Sequence, residues 1–290
     1  MSRITIDEIR RMKEHGEKFA ALTAYDYVTA KLVDRAGIPI ILVGDSLGMV
    51  VLGYENTIPV RLDDIIHHTR AVVRGASRAL IVADMPFMTY QKSPEQALEN
   101  AGRCIQDGGA HAVKLEGGVR IAPTIEKLVR SGIPVMAHIG LTPQSVHQLS
   151  GFKVQGKTVA DAKRLIEDAS AVEEAGAFSV VLETVPAQLA RLITERLSIP
   201  TIGIGAGVDC DGEIQVVSDI LGWYTDFLPK HTRRYANLAE AAAEAIGRYA
   251  DDVAKRRFPT EENSYRIEES VLRELATDRM REDEGCRDDR

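Results

Sequence analysis

The sequence predicts an α/β fold, a (β/α)8 TIM barrel formed by a single domain with a charged C-terminal extension. Eight short, β-branched apolar segments alternate with longer segments of helical period, a pattern typical of parallel strands joined by crossover helices. Similar starts precede three of these segments, AGIP at 36–39, SGIP at 131–134 and LSIP at 197–200, which indicates one unit repeated around a ring. We expect a barrel domain over 1–258 and a charged, partly disordered tail over 259–290, within the usual length of such barrels.

The strands are expected where the β-branched segments lie, and the helices where the apolar period lengthens. The predicted strands are 19–25, 39–44, 79–84, 111–116, 133–138, 178–183, 199–204 and 214–218. The clearest predicted helices are 63–75, 94–107, 159–175, 187–196 and 237–255. A doubly wound open sheet is the alternative architecture, because the same alternation of strands and helices builds it. Eight roughly even units favour closure into a barrel.

Residues that start and stop helices support these bounds. Ser93 has the side chain of a helix N-cap, and Pro94 follows at the first helical position. Gly108, Gly132 and Gly176 lie near predicted helix ends, where glycine can adopt the left-handed cap conformation. The prolines in the three repeated starts mark the beginnings of strands, because proline cannot lie within a strand ladder.

The composition argues against several classes of protein. With 44% apolar and 27% charged residues, the chain has the composition of an ordinary globular domain. A formal net charge of -7 argues against a nucleic-acid partner, because basic side chains supply the attraction to phosphate backbones. No segment approaches the roughly 20 apolar residues of a membrane span, and the first residues lack a signal-peptide pattern. We therefore expect a cytoplasmic protein with neither a membrane nor a nucleic-acid partner.

Polar residues close five of the predicted strands. In a parallel barrel the carboxyl ends of the strands meet at one face, which is where barrel enzymes carry their catalytic groups. Any one of these residues could have a structural role, such as capping a turn or satisfying a core hydrogen bond. Five buried polar groups would each need a partner or incur a cost of a few kcal/mol, so a joint functional role is favoured. The strand-end residues are Asp45 with Ser46, Asp84, Lys114 with Glu116, His138 and Glu183.

The types of these residues indicate metal-assisted chemistry. The carboxylates of Asp45, Asp84 and Glu116, without a cysteine or histidine cluster, suit Mg²⁺, which prefers oxygen ligands. Such an ion can bind a 2-oxo acid, polarise its carbonyl and stabilise the enolate formed on proton loss. Lys114 lies two residues before Glu116, so both side chains point into the barrel and Lys114 can add positive charge. Glu183 is the carboxylate left for a general base.

Two glycine-rich segments follow strands. Residues 47–54 are interpreted as a loop that shapes or covers the site. The segment GIGAG at 203–207 could form a phosphate cradle, since the seventh and eighth strands often supply one, or could allow tight strand-to-loop packing. No GxGxxG fingerprint opens a helix and no GK[ST] follows a strand, so neither NAD nor ATP is indicated.

At these residues the chain resembles the ketopantoate hydroxymethyltransferase family over roughly 2–264. So many matching segments in one order are more specific than any single short motif. The resemblance departs from the family pattern at Glu213, and only loosely includes 221–230, which we place in a peripheral region. The matching segments are TAYD (23–26), VGDS (43–46), ADMPFM (83–88), SPEQA (93–97), VKLEGG (113–118), HIGLTPQS (138–145), KVQG (153–156), GIGAG (203–207) and CDG (210–212).

The resemblance implies a reaction in which 5,10-methylenetetrahydrofolate gives a hydroxymethyl group to 3-methyl-2-oxobutanoate. The products are 2-dehydropantoate and tetrahydrofolate, in pantothenate biosynthesis. It implies one Mg²⁺ per subunit and a homo-oligomer, typically a decamer. It also implies metal ligands at Asp45, Asp84 and Glu116, and a proton acceptor at Glu183. The implied contacts to the oxo acid are Asp45, Ser46, Asp84 and Lys114, with His138 as a further substrate contact.

Two other functions are compatible with part of the pattern. A Mg²⁺-dependent carbon–carbon lyase or mutase of the isocitrate lyase/phosphoenolpyruvate mutase type would also stabilise an enolate in a barrel, although the chain has no lyase-like KKCGH motif. A non-catalytic barrel that serves as an interaction scaffold is disfavoured by the complete row of ionisable strand ends.

Overall fold

The computed structural model describes residues 3–285, and its eight strands close into one parallel barrel. Each strand pairs with its neighbours in sequence order, and β1 pairs with β8 to complete the ring. This closure confirms the predicted TIM barrel and excludes the open doubly wound sheet. The strands are β1 (Phe19–Thr23), β2 (Ile40–Val43), β3 (Leu80–Asp84), β4 (Ala112–Glu116), β5 (Val135–Gly140), β6 (Ser179–Glu183), β7 (Thr201–Ile204) and β8 (Gly212–Gln215).

Helices follow most of the strands, and several of the helices before residue 238 contact the barrel strands. The five helices predicted from the sequence are all present, with bounds that differ by one residue or none. The helices are α1 (Ile6–Glu14), α2 (Tyr27–Arg35), α3 (Leu47–Val50), α4 (Leu62–Gly75), α5 (Pro94–Gln106), α6 (Ala122–Arg130), α7 (Val146–Leu149), α8 (Val159–Glu174), α9 (Ala187–Arg196), α10 (Val217–Ile220), α11 (Leu238–Ala254) and α12 (Glu269–Gly285).

The largest error in the predicted strands concerns β8. The sequence predicts it at 214–218, but the strand is Gly212–Gln215 and the chain turns into the short helix α10 from Val217. The Val217 backbone N–H donates a hydrogen bond to Thr23 Oγ1 at 3.0 Å. In a longer β8, this N–H would instead donate to a backbone carbonyl of the neighbouring strand. Two β-branched valines made this segment look extended.

Alternation along the strands divides the apolar residues between two cores. Side chains of one parity fill the barrel, including Leu80 and Val82 of β3, and those of the other parity, such as Ile81, pack against the helices. The fully buried Ile9 of α1 joins the inner core beside Phe19. On β3, β4, β5 and β6, the inward-pointing side chain nearest the carboxyl end is polar. These side chains therefore face the mouth of the barrel.

The chain forms two compact units, 3–237 and the residues from 238 onward, within the described part of the chain. The second unit contains α11, in which no residue is buried, and α12. Its last five residues, 286–290, lie outside the described residues, and the division of the chain at 258 stays a prediction. None of the described helices is long and apolar enough to cross a membrane.

Asp34, near the end of α2, ties that helix to the start of β3. Its carboxylate accepts hydrogen bonds from the backbone N–H groups of Ser77, Arg78 and Ala79 at 2.9, 3.0 and 2.8 Å. Burial raises the pKa of Asp34, but these donors outweigh burial and lower it from its ordinary value of 3.8.

We predict that Asp34→Ala lowers the free energy of unfolding by about 1–2 kcal/mol, a value reduced by the partial solvent access of the site. Because the folded-state pKa is depressed, this stabilisation is present above the unfolded pKa and is lost as pH falls through the lower folded value. Urea unfolding at pH 7 and near pH 3 measures both effects. A difference between wild type and variant that grows on acidification would contradict the assignment.

Candidate active site

All seven strand-end residues selected from the sequence line one cavity at the carboxyl ends of the strands. The cavity has a volume of about 550 Å³. Most of these residues are almost fully inaccessible, and Glu183 keeps 16% of its side chain exposed. Barrel closure therefore assembles the predicted set completely. Its members are Asp45, Ser46, Asp84, Lys114, Glu116, His138 and Glu183.

Lys114 lies among the carboxylates. Its Nζ is 2.7 Å from Asp84 Oδ1 and 3.9 Å from Glu116 Oε1, because Asp84 and Lys114 are partners in the β3–β4 register and Glu116 follows on the same face. Burial by itself lowers the pKa of Lys114, but the charges of Asp84, Glu116 and Asp45 outweigh it and raise the pKa above its ordinary value. Lys114 is therefore a permanent cation in this site.

Asp45 experiences excess negative charge. Burial raises the pKa of its carboxyl well above the ordinary value, and repulsion from Asp84 and Glu116 raises it further, against the attraction of Lys114. Gln144 Nε2 donates to Asp45 Oδ2 at 2.9 Å, while no hydrogen bond from a described residue reaches Oδ1. One ammonium group does not neutralise this cluster, and a carboxylate oxygen remains available for a cation.

Gln144 organises the acidic cluster, and the sequence reasoning did not select it. Its backbone N–H donates to Glu116 Oε2 at 3.0 Å, and its side chain donates to Asp45 and accepts from the Tyr90 hydroxyl at 2.8 Å. It lies in a 3₁₀ turn after β5, so the strand-end rule could not find it. Its presence in the HIGLTPQS segment was the available signal.

His138 lies between two carboxylates. Its Nδ1 is 3.5 Å from Glu116 Oε1 and its Nε2 is 3.2 Å from Glu183 Oε2, although neither approach has hydrogen-bond geometry. Burial and Lys114 lower the pKa of His138, but the two flanking carboxylates outweigh them and raise it to about 9. The imidazole is thus a second positive group, between the cluster around Lys114 and the partly exposed carboxylate of Glu183.

Gly140 fixes the backbone that carries Glu183. It adopts φ +94°, and a Cβ there would lie 2.4 Å from the Glu183 carbonyl oxygen. Because Gly140 has no side chain, the Leu141 backbone N–H can approach the same carbonyl oxygen and donate a hydrogen bond to it at 2.8 Å. A larger residue at 140 would push Glu183 away from His138.

Loops complete the cavity walls. Met49 and Val50 line the cavity, but they lie in the short helix α3 rather than in the loop predicted over 47–54. The placement of 221–230 in a peripheral region was wrong, because Tyr224 and Phe227 also line the cavity. This segment returns over the barrel mouth after α10, a path that local sequence patterns do not encode.

The glycines at 203–207 serve close packing. A Cβ at Gly203 would lie 2.9 Å from Glu213 Oε2, and a Cβ at Gly205 would lie 3.2 Å from the His231 ring. Glu213 lines a second cavity, together with Lys18 and Cys210, and does not line the cavity described above. These contacts favour the tight-packing interpretation over a phosphate cradle.

The carboxylates fit a divalent cation that retains other ligands. Among the described residues, no three histidine, cysteine, aspartate or glutamate side chains form a metal-binding group by themselves. Mg²⁺ is commonly held by one or two carboxylates together with water and substrate oxygens. Asp45 and Asp84 meet that requirement because they lie close together, with the Asp45 backbone N–H 3.2 Å from Asp84 Oδ2. In addition, Asp45 Oδ1 accepts no hydrogen bond from a described residue.

A closed parallel barrel with buried acids and a lysine at the carboxyl ends of its strands defines a TIM-barrel enzyme suited to anionic, enolisable substrates. The model of the ketopantoate hydroxymethyltransferase family matches residues 3–261, and the chain belongs to that family. The protein is therefore an enzyme, a one-carbon transferase that acts on 3-methyl-2-oxobutanoate in pantothenate biosynthesis. The family resemblance seen in the sequence is confirmed.

Relatives that carry the name 3-methyl-2-oxobutanoate hydroxymethyltransferase match nearly the whole chain. The protein of Dehalococcoides mccartyi strain CBDB1 is 63% identical over 273 residues, which cover 94% of this chain and 98% of the relative. That of Chloroflexus aurantiacus strain J-10-fl is 62% identical over 270 residues, with coverages of 93% and 95%.

Solved structures of lower identity share the fold. Phosphonopyruvate hydrolase superposes with a TM-score of 0.58 at 15% identity, covering 98% of this chain and 99% of its own. A 2,3-dimethylmalate lyase of the PEP mutase/isocitrate lyase superfamily gives 0.56 at 15% identity, covering 99% of each chain. These solved structures share the fold of this chain. The two relatives described above, at 63% and 62% identity, by contrast carry the name of the transferase and not of a lyase or mutase.

We predict that Gln144→Ala reduces turnover by about 10- to 100-fold, the usual cost of losing a group that orients metal or substrate ligands. Gln148→Ala, in the nearby helix α7 and outside the cavity lining, is the control. Steady-state kinetics, with circular dichroism to verify folding, measure the effect. Equal rates in the two folded variants would show that Gln144 does not organise the site.

Proposed function

We propose that this enzyme transfers the hydroxymethyl group from 5,10-methylenetetrahydrofolate and that the reaction passes through an enolate of the oxo acid. The observation that carries the proposal is the burial of Lys114 among Asp45, Asp84 and Glu116 in the same cavity as Glu183. Positive charge at one end can stabilise an enolate oxygen, while a carboxylate at the other can accept the proton. A phosphonopyruvate hydrolase of the same fold was solved with oxalate and Mg²⁺, which supports this use of the barrel mouth.

Mg²⁺ is the proposed metal, with Asp45, Asp84 and Glu116 as its ligands. When bound, Mg²⁺ supplies a Lewis acid that polarises the keto group of the substrate. The raised pKa of Asp45, caused by burial and then by the neighbouring acids, supports this choice because a cation relieves both effects. Glu116 also supports the arrangement through Gln144 and Lys114.

The oxo acid is proposed to contact Ser46 and Lys114 in addition to Asp45 and Asp84. Ser46 Oγ is 2.8 Å from the Tyr25 hydroxyl, which holds the serine side chain against the cavity wall. Lys114 Nζ offers protons to an anionic oxygen beyond the one it gives Asp84. These groups orient the substrate carboxylate and keto oxygen toward the acidic cluster and leave C3 free to react.

Glu183 is the proposed base. Its carboxylate accepts the C3 proton, and the electron pair of the broken C–H bond forms the enolate. Water breaks both carbon–nitrogen bonds of the methylene bridge, its two protons go to the two nitrogens, and tetrahydrofolate is released with the one-carbon unit left as formaldehyde. The enolate carbon C3 then bonds to that carbon, and the resulting alkoxide takes the proton from the Glu183 carboxyl group to give 2-dehydropantoate. His138, 3.2 Å from Glu183, positions this carboxylate and is proposed to contact the substrate through its positive charge.

The proposal includes a cytoplasmic homodecamer. It is supported by the family resemblance. Separately, the formal net charge of -7 does not suit binding to nucleic acid, so no such partner is proposed. Sedimentation velocity of the purified protein distinguishes a decamer from smaller assemblies.

The first prediction of this mechanism is that Glu183→Gln slows exchange of the C3 proton by at least about 100-fold, because the amide cannot accept the proton. Binding of 3-methyl-2-oxobutanoate in the presence of Mg²⁺ should change little. Exchange into deuterated water followed by NMR measures the first quantity, and calorimetry measures the second. Glu174→Gln, an exposed carboxylate, is the control. Wild-type exchange rates in the Glu183 variant would assign the base to another residue.

The second prediction concerns the metal. Asp84→Asn should weaken Mg²⁺-dependent oxo-acid binding by at least about tenfold, because it removes a charged ligand and the ion pair that fixes Lys114. Calorimetric titrations with and without Mg²⁺ separate the contribution of the metal from that of the side-chain contacts, because binding without Mg²⁺ reports only the side chains. Asp209→Asn, at an exposed position, serves as the matched variant. Metal dependence that persists unchanged would remove Asp84 from the ligand set.

A further inference from the structure

Asp219 is a buried carboxylate in the cavity wall to which no described residue donates a hydrogen bond. Its residue exposure is 6%, its Oδ1 is inaccessible to solvent, and no described residue donates a hydrogen bond to either carboxylate oxygen. It lies in α10, directly after β8, and the bond from Val217 N–H to Thr23 Oγ1 anchors that helix to β1. The position of the carboxylate is thus set by the barrel rather than by a flexible loop.

An unpaired carboxylate at this depth has a cost in folding. Burial raises the pKa of Asp219 to about 6, and the more distant Arg234 offsets part of that increase. The folded protein thus keeps a desolvated carboxyl group that has no hydrogen-bond donor among the described residues. Buried groups of this kind are commonly satisfied by a ligand.

Asp219 lines the same cavity as the proposed oxo-acid contacts but is not one of them. It is close enough to Tyr25 for its charge to raise the pKa of that hydroxyl, in addition to the effect of burial, and Tyr25 in turn contacts Ser46. A cavity of about 550 Å³ has the size of a site for a drug-like molecule, which is more than a five-carbon oxo acid requires. The remaining space is available to a second reactant.

Aromatic side chains border that space. Phe152 and Phe227 both line the cavity and are 60% and 63% exposed, and Tyr224 lines it from the same segment as Phe227. Exposed aromatic rings at a cavity edge can stack against a flat heterocycle. The occupant indicated by these features is a planar aromatic molecule that presents hydrogen-bond donors to a carboxylate.

We propose that Asp219 binds the pterin ring of the folate co-substrate, accepting hydrogen bonds from its N3–H and 2-amino groups. This inference rests on the proposed function, because the folate donor is part of that proposal. The pterin edge presents two adjacent donors, which match the two oxygens of one carboxylate. The aromatic residues at the cavity edge stack against the ring, and the one-carbon unit at the other side of the pterin points toward the oxo acid.

The test compares Asp219→Asn with Asp226→Asn, the same substitution at an exposed position in the following segment. An amide offers one acceptor and one donor, so it mismatches the pterin edge. We expect Asp219→Asn to raise the Kd for tetrahydrofolate and the KM for methylenetetrahydrofolate by about 10- to 100-fold. Calorimetry gives the first value and steady-state kinetics the second.

Two further measurements separate ligand binding from a structural role. Exchange of the C3 proton of the oxo acid needs no folate, so it should proceed at the wild-type rate in Asp219→Asn. Thermal unfolding without ligands should occur at the same or a higher temperature, because the variant removes an unpaired buried charge.

The outcomes are distinct. Unchanged folate binding in Asp219→Asn, or equal loss in the Asp226 control, overturns the assignment of Asp219. Loss of C3 exchange or a lowered unfolding temperature assigns Asp219 to the oxo-acid site or to stability, and also overturns it. Wild-type protein that neither exchanges C3 nor transfers a one-carbon unit from the folate would instead contradict the proposed function itself.

Discussion

Negative charge concentrated at the barrel mouth is the constraint on which the rest of the site depends. Asp45, Asp84, Glu116 and Glu183 share a cavity with the buried Lys114, and most of their surface is removed from water. Carboxylates so placed repel one another, and their desolvation is unfavourable unless hydrogen bonds and cations compensate. The surrounding side chains and backbone donors are arranged to provide that compensation.

The compensation has two centres. Lys114 is bonded to Asp84, while His138 lies between Glu116 and Glu183 and gains a proton more readily because of them. Gln144 links the first centre to the loop after β5, since it donates to both Asp45 and Glu116. The acids are thereby held in a fixed arrangement before substrate enters, which reduces the reorganisation required during the reaction.

The cavity has a polar interior and an apolar edge, and the two have different origins. Strand ends supply the interior, where the geometry follows from the barrel and is compatible with the fold shared with phosphonopyruvate hydrolase. Loops and the segment after α10 supply the edge, where Phe152 and Phe227 are exposed. The strand ends and the loops therefore contribute different parts of the cavity on one barrel scaffold.

The sequence by itself determined the barrel, its strand positions within a few residues and the seven ionisable or hydroxyl residues at its mouth. Periodicity is a local property, and in a closed barrel of parallel strands it settles both which way a side chain points and which end it occupies. The family was identified from short matching segments that occur in the same order along the sequence. None of these inferences required knowledge of a contact between distant residues.

The tertiary structure decided what local patterns do not contain. The Gln144 side chain reaches Asp45 across 99 positions of sequence, and Gly140 matters because it approaches the backbone of another strand. The early end of β8, the return of Tyr224 over the cavity and the isolation of Asp219 likewise depend on how loops pack on the closed barrel. Hydrogen-bond partners, burial and electrostatic fields arise from three-dimensional proximity, whereas sequence periodicity reports only the direction of each side chain within its own element.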